Sequence, residues 1–139
     1  MNAWQERNER VIKEFRANGG EVAGGGGLIL LTTKGAKTHQ PRIIPLMYVP
    51  YGKSILAIAS KGGSVNHPMW YLNVLAHPTV TVEVGNETFE TTARILTGDE
   101  REQAFAQAVE VFPPYGDYQK KAPREIPVIA LARPTRPSV

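Results

Sequence analysis

Cysteine is absent from the 139-residue chain. That removes disulfides, thiolate metal sites and cysteine nucleophiles together, and it suits a reducing compartment such as the cytoplasm. Long apolar runs are absent too. None exceeds five residues, where a membrane-crossing helix needs roughly 18. The first 20 residues are charged and carry no apolar h-region, so no secretory signal is expected. Acids are missing from a long internal stretch. All 13 stand at or before Glu21, or at or after Glu83, which leaves none in the 61 residues from Val22 to Val82. Even scatter would put about six there. The same stretch holds Lys34, Lys37, Arg42, Lys53, Lys61 and all three histidines. Avoidance of acid beside these cations points to an anionic ligand, with simple solubility as the alternative.

What is present reads as one folded domain. Apolar residues make up 42% and charged residues 21%, which is neither a disordered chain nor a membrane protein. We expect a single domain over 1–139: an N-terminal helix and glycine hinge over 1–27, a barrel over 28–132 and a loose tail over 133–139. Trp4, Val11, Ile12 and Phe15 recur at helical spacing over 2–17, and Asn18-Gly19-Gly20 stops that helix. Docking on the domain's own core is the expected use of this thin apolar stripe. Peripheral binding to a membrane surface is the weaker alternative. Strands follow at 28–33, 42–49 (with Pro45 marking an edge or bulge), 54–60, 79–84, 88–96 and 127–132. Gly85-Asn86 is a hairpin signal. A short helix is expected over 69–76. Another runs from Thr97, read with Glu100 as a capping box, to Val111, where Pro113-Pro114 ends it. Six strands and three helices without βαβ alternation argue for a mainly β (α+β) fold, an antiparallel barrel with helical insertions.

Several chemistries lack their residues. Gly35-Ala36-Lys37-Thr38 is not a phosphate-binding P-loop, because the required glycines are missing. His39, His67 and His77 have no partner at metal-ligand spacing, so no metal is expected. Nucleophile motifs are absent, and the loop-rich half offers no carboxylate pair. An enzyme built this way would take its reactivity from a cofactor. A net charge of +3 is too small a footprint for nucleic acid.

Three constellations remain. The hairpin Lys34 to Arg42 gathers Lys37, Thr38, Arg42 and several backbone amides, which suits a phosphate or carboxylate. The second runs through Ala59, Ser60, Lys61 and Gly62 to the helix bearing Trp70 and Asn73. It offers free amides and an aromatic wall, although Trp70 would serve equally as core. The third is Phe112-Pro-Pro-Tyr115-Gly-Asp-Tyr118. Its two phenols stand three residues apart and can share a face, where they would either cover a pocket or form a surface aromatic turn.

Taken together, Leu-Leu-Thr-Thr-x-Gly-x-Lys-Thr (30–38), Pro-Arg (41–42), Pro-Leu (45–46), Ala-Ser (59–60), Pro-Met-Trp-Tyr-Leu-Asn (68–73), His-Pro (77–78), Tyr-x-x-Tyr (115–118) and Arg-x-Ile-Pro (124–127) resemble the deazaflavin-dependent nitroreductase family. These are small actinobacterial oxidoreductases that use coenzyme F420. The resemblance implies an FMN-binding-like split β-barrel with an N-terminal helix and two further helices. It implies hydride transfer from reduced F420, whose phosphodiester and oligoglutamate tail are anionic, to a small electrophile: a quinone, an activated alkene or lactone, or a nitroaromatic. By motif position, Lys37 and Arg42 would bind phosphate and carboxylates. Ser60, Lys61 and Gly62 would line the ring or its chain, and Trp70 and Asn73 would border the cleft. Thr38, Pro45, Met47 and Ala59 complete the implied cofactor-binding set. Tyr115 and Tyr118 would cover the substrate side and supply the proton, making them the implied catalytic pair. Ala36, His39 and Phe112 depart from the family's usual arginine, glycine and tyrosine. FMN as the cofactor, a non-catalytic cofactor- or lipid-binding module, and a homodimer stay open as alternatives.

Overall fold

A computed structural model describes residues 2–20 and 27–134. Residues 24–26 of the glycine hinge expected at 24–27, the tail from Thr135 onward and the side chain of Trp4 lie outside the described residues.

Helix α1 (Ala3–Ala17) begins with a capping box, in which the Gln5 amide donates to Asn2 Oδ1 at 2.8 Å and the Asn2 amide to Gln5 Oε1 at 3.0 Å. It ends at Gly19 and Gly20, both at positive φ. A Cβ on Gly20 would meet Gly85 Cα at 2.6 Å, so glycine is needed where the helix end abuts the 85–86 turn. The strands follow as β1 (Leu28–Lys34), β2 (Pro41–Met47), β3 (Val49–Tyr51) and β4 (Ser54–Ile58). A 3₁₀ turn (Lys61–Gly63) and helix α2 (Met69–Ala76) come next. The chain continues with β5 (Thr79–Val84), β6 (Glu87–Thr92), β7 (Arg94–Ile95), α3 (Gly98–Val111), α4 (Pro114–Lys121) and β8 (Val128–Ala132).

The strands form two antiparallel four-stranded sheets, ordered β2-β1-β5-β6 and β3-β4-β8-β7. Two expected strands are each divided. The segment over 42–49 breaks at Tyr48, and that over 88–96 breaks at Ala93. In both cases the first half pairs in one sheet and the second half in the other. The sheets are therefore joined at both flanks by chain continuity, and among the described residues no ladder closes them. This is a split barrel. Pro45 sits opposite Leu30 on β2, at a sheet edge, where a missing N–H is tolerated.

Alternation sorts the core into two layers. Ile29, Leu31, Ile55, Ala57, Val80, Val82, Ile129 and Leu131 form the buried cluster between the sheets, joined by Trp70 and Val74 of α2. Leu56, Ile58, Val128 and Ala130 point the other way, onto Ala104, Phe105 and Ala108 of α3 and Tyr115 of α4. Helix α1 contacts β2. Its Phe15 is fully buried, worth about 2–3 kcal/mol.

Two expectations are corrected. The described residues form four α-helices, not three. Pro114 opens α4 instead of merely ending α3, because proline at a first helical position gives up no hydrogen bond. Thr97 is the N-cap of α3 but makes no capping bond. The Glu100 carboxylate is taken by Arg94, at 2.8 and 3.2 Å. Among the described residues, no helix is long and apolar enough to cross a membrane.

Candidate active site

A groove of about 1320 Å³ opens between α1, the β1–β2 hairpin and α2. The hairpin is set from outside. The Ala36 amide donates to Asn73 Oδ1 at 3.0 Å, and Asn73 Nδ2 donates to Thr33 Oγ1 at 3.1 Å. This bond uses only the backbone of residue 36, and Ala36 itself lines the groove. His39 adopts φ 62°, the left-handed region that glycine occupies freely. Lys37, Thr38, Arg42, Trp70 and Asn73, all read from the sequence, line this one groove. Trp70 and Asn73 are buried, whereas Lys37 and Arg42 are exposed. Sequence reasoning missed the opposite wall, where α1 contributes Glu9, Ile12, Lys13 and Arg16. Arg16 is occupied by Glu83, at 3.0 and 2.9 Å, whereas Lys13, Lys37 and Arg42 form no ion pair among the described residues. Three unneutralised cations against one acid make the groove attractive to an anion.

The other candidate residues lie elsewhere. Ala59 is buried in the inter-sheet cluster. Met47 packs against the layer under α3 and α4. Neither Met47 nor Pro45 lines the groove. Ser60, Lys61 and Gly62 form the turn after β4, and Lys61 and Gly62 have positive φ. Contacts connect this turn to the groove. Trp70 meets Tyr71 edge-on at 6.5 Å, Tyr71 lies 4.8 Å from His67, and His67 Nδ1 is 3.0 Å from Arg124 Nη1, which also reaches the Ala59 carbonyl. Burial, and then the Arg124 charge, lower the pKa of His67 from 6.5. The imidazole is therefore neutral at pH 7 and accepts at Nδ1.

The model of the family described as F420H(2)-dependent quinone reductase matches residues 4–133. The chain belongs to that family. Membership gives an oxidoreductase that draws on coenzyme F420 and reduces quinones. This reductase is 36% identical over 120 residues to the F420H(2)-dependent quinone reductase Rv1261c of Mycobacterium tuberculosis, covering 83% of this chain and 79% of that protein. A solved F420-H2-dependent reductase, FDR-A, superposes with a TM-score of 0.70 at 47% identity, over 75% of this chain and 92% of that one. Another solved structure, described as a domain-swapped dimer, gives 0.72 at 41% identity, over 88% and 96%.

The residues present fit the cofactor. An anionic tail matches the free cations of the groove, and a planar ring matches its aromatic wall. Two of the reductase's five tyrosines, Tyr115 and Tyr118, stand on α4. Tyr115 and Tyr118 have ring centroids 6.2 Å apart, and Phe112 lies 5.0 Å from Tyr115. Tyr115 is buried, which with the neighbouring Tyr118 pushes its phenol up to about 12. Tyr118 is half-buried. Helix α4 reaches the glycine turn directly, since a Cβ on Gly63 would lie 2.8 Å from the Tyr118 carbonyl oxygen.

Proposed function

We propose that this reductase binds reduced F420 with its anionic end against Lys37 and Arg42 and its ring toward Trp70 and the Ser60–Gly62 turn, and that a quinone is reduced on the side of Tyr115 and Tyr118. The observation that carries the reading is the placement of two unpaired cations on the same groove wall as the buried Trp70. When bound, the deazaflavin supplies a hydride. The chain supplies everything around it. Lys37 and Arg42 hold charge by ionic hydrogen bonds. Asn73 keeps the hairpin in the shape that aims them. Tyr115, whose proton stays on through neutral pH, donates a hydrogen bond to a quinone oxygen. Tyr118, with solvent access, delivers the proton that completes the hydroquinone. Activated alkenes, lactones and nitroaromatics are further acceptors of the same electrophilic type. The relative described as a domain-swapped dimer supports a dimer for this chain as well.

The test is anaerobic mixing of the enzyme with reduced F420 and a water-soluble naphthoquinone, following recovery of the oxidised cofactor's absorbance. Enzyme-dependent oxidation is expected. Tyr118→Phe should lower turnover while F420 affinity holds. Absence of oxidation across a panel of quinones would leave only a binding module.

A further inference from the structure

The turn after β4 is built against its own preferences. Lys61, Gly62 and Gly63 have φ of 46°, 62° and 79° in succession. For Lys61 this is a left-handed conformation that side chains resist, so contacts outside the turn must hold it. Arg124 makes them. Its Nη1 and Nη2 donate to the Ala59 and Ser60 carbonyls at 3.2 and 2.9 Å, on the entry side. Nε donates to the Ser64 carbonyl at 3.0 Å, on the exit side. The guanidinium thus ties the neck of the turn. Within the turn, the Gly63 and Ser64 amides donate to the Ser60 and Lys61 carbonyls, whereas the Lys61 and Gly62 amides have no backbone acceptor among the described residues.

Arg124 is itself anchored to α4. Gln119 Nε2 donates to the Arg124 carbonyl at 2.8 Å. Gln119 Oε1 accepts from the Ile126 amide at 2.9 Å and from the buried Arg101 Nη2 at 2.7 Å. The helix carrying both tyrosines and the turn are therefore joined twice, by this relay and by the Gly63–Tyr118 backbone contact.

We propose that Arg124 is a positioning residue for the cofactor. It turns three carbonyls inward and so presents the Lys61 and Gly62 amides to an acceptor on F420, while Gln119 keeps that turn in register with the tyrosine helix. This rests on the reading that the turn borders F420. Only the fork of a guanidinium spans three carbonyls in this way; an ammonium does not.

The test is fluorescence titration of oxidised F420 into Arg124→Ala and Arg124→Lys, with thermal unfolding alongside and Lys37→Ala in parallel. Arg124→Ala should raise the F420 dissociation constant about tenfold, and added millimolar guanidinium should recover most of that loss. Arg124→Lys should show a similar loss with near-native unfolding, which keeps the test available should the alanine variant not fold. Wild-type affinity in both variants, or a loss that follows unfolding and ignores guanidinium, overturns the proposal. If Lys37→Ala weakens binding while the Arg124 variants do not, the groove reading survives and the positioning role alone falls. If none of them changes affinity, both fall.

Discussion

Asn73→Leu severs the tie between α2 and the hairpin that carries Lys37 and Arg42. Asn73 is 5% exposed and Thr33 2%, so neither partner can fall back on bulk water. Two hydrogen bonds are lost, from the Ala36 amide at 3.0 Å and to the Thr33 hydroxyl at 3.1 Å. Each is worth about 1 kcal/mol net, and a stranded buried group adds about 1–3 kcal/mol of desolvation. Leucine returns about 1 kcal/mol through apolar burial, leaving a destabilisation of about 2–4 kcal/mol. A domain of 139 residues unfolds with an entropy of ~0.3 kcal/mol/K, so the midpoint should fall by about 7–13 °C. Urea denaturation and thermal scans measure the loss, and an F420 titration of the folded variant should show weakened binding because the hairpin is no longer aimed. Asn73→Asp, which retains an acceptor for Ala36, should lose less. A change below about 0.5 kcal/mol with unaltered F420 affinity would refute the claim that Asn73 shapes the site.

Lys37→Ala should weaken F420 binding by about fivefold at low salt, since an exposed ionic contact is worth about 1 kcal/mol, and the difference should shrink in high salt. An effect insensitive to salt would mean that Lys37 acts through packing. His67 supplies a pH dependence. Its folded pKa lies below the ordinary 6.5, so below that value the unfolded chain binds more protons. Its contribution is complete above pH 6.5 and is lost as pH falls through the folded pKa, where the imidazolium would face Arg124. Urea unfolding from pH 7 to about pH 5 should show stability falling in the wild type and a flatter profile in His67→Gln. Equal slopes would remove His67 from the explanation.

Much of the fold was legible because burial follows alternation. Thr79 to Val84 places its even-numbered residues inward, and Ser54 to Ile58 is apolar on both faces because it lies between two packed layers. The division of strands at Tyr48 and Ala93 was not legible, since alternation does not say which neighbour a strand pairs with. Helix α4 was hidden by Pro113-Pro114, which reads as an ending although proline also begins helices. In the site, Lys37, Thr38 and Arg42 share a groove because one hairpin carries them, a local fact. Met47 is the last residue of β2 and Ala59 follows the end of β4, and whether each faces the groove or the core depends on the sheet arrangement. The roles of Arg124 and Gln119 could not be read at all. Arg124 depends on contacts with the turn after β4, about 60 residues away, Gln119 acts through Arg124, and the Arg-x-Ile-Pro run showed only that an arginine stands there.

The most direct measurement is a binding titration of the purified protein with F420, FMN and FAD, each repeated on Lys37→Ala combined with Arg42→Ala. A groove built for this cofactor predicts that F420 binds tightest and loses affinity in the double variant. Equal affinity for FMN, or F420 binding that ignores the loss of both cations, would contradict it.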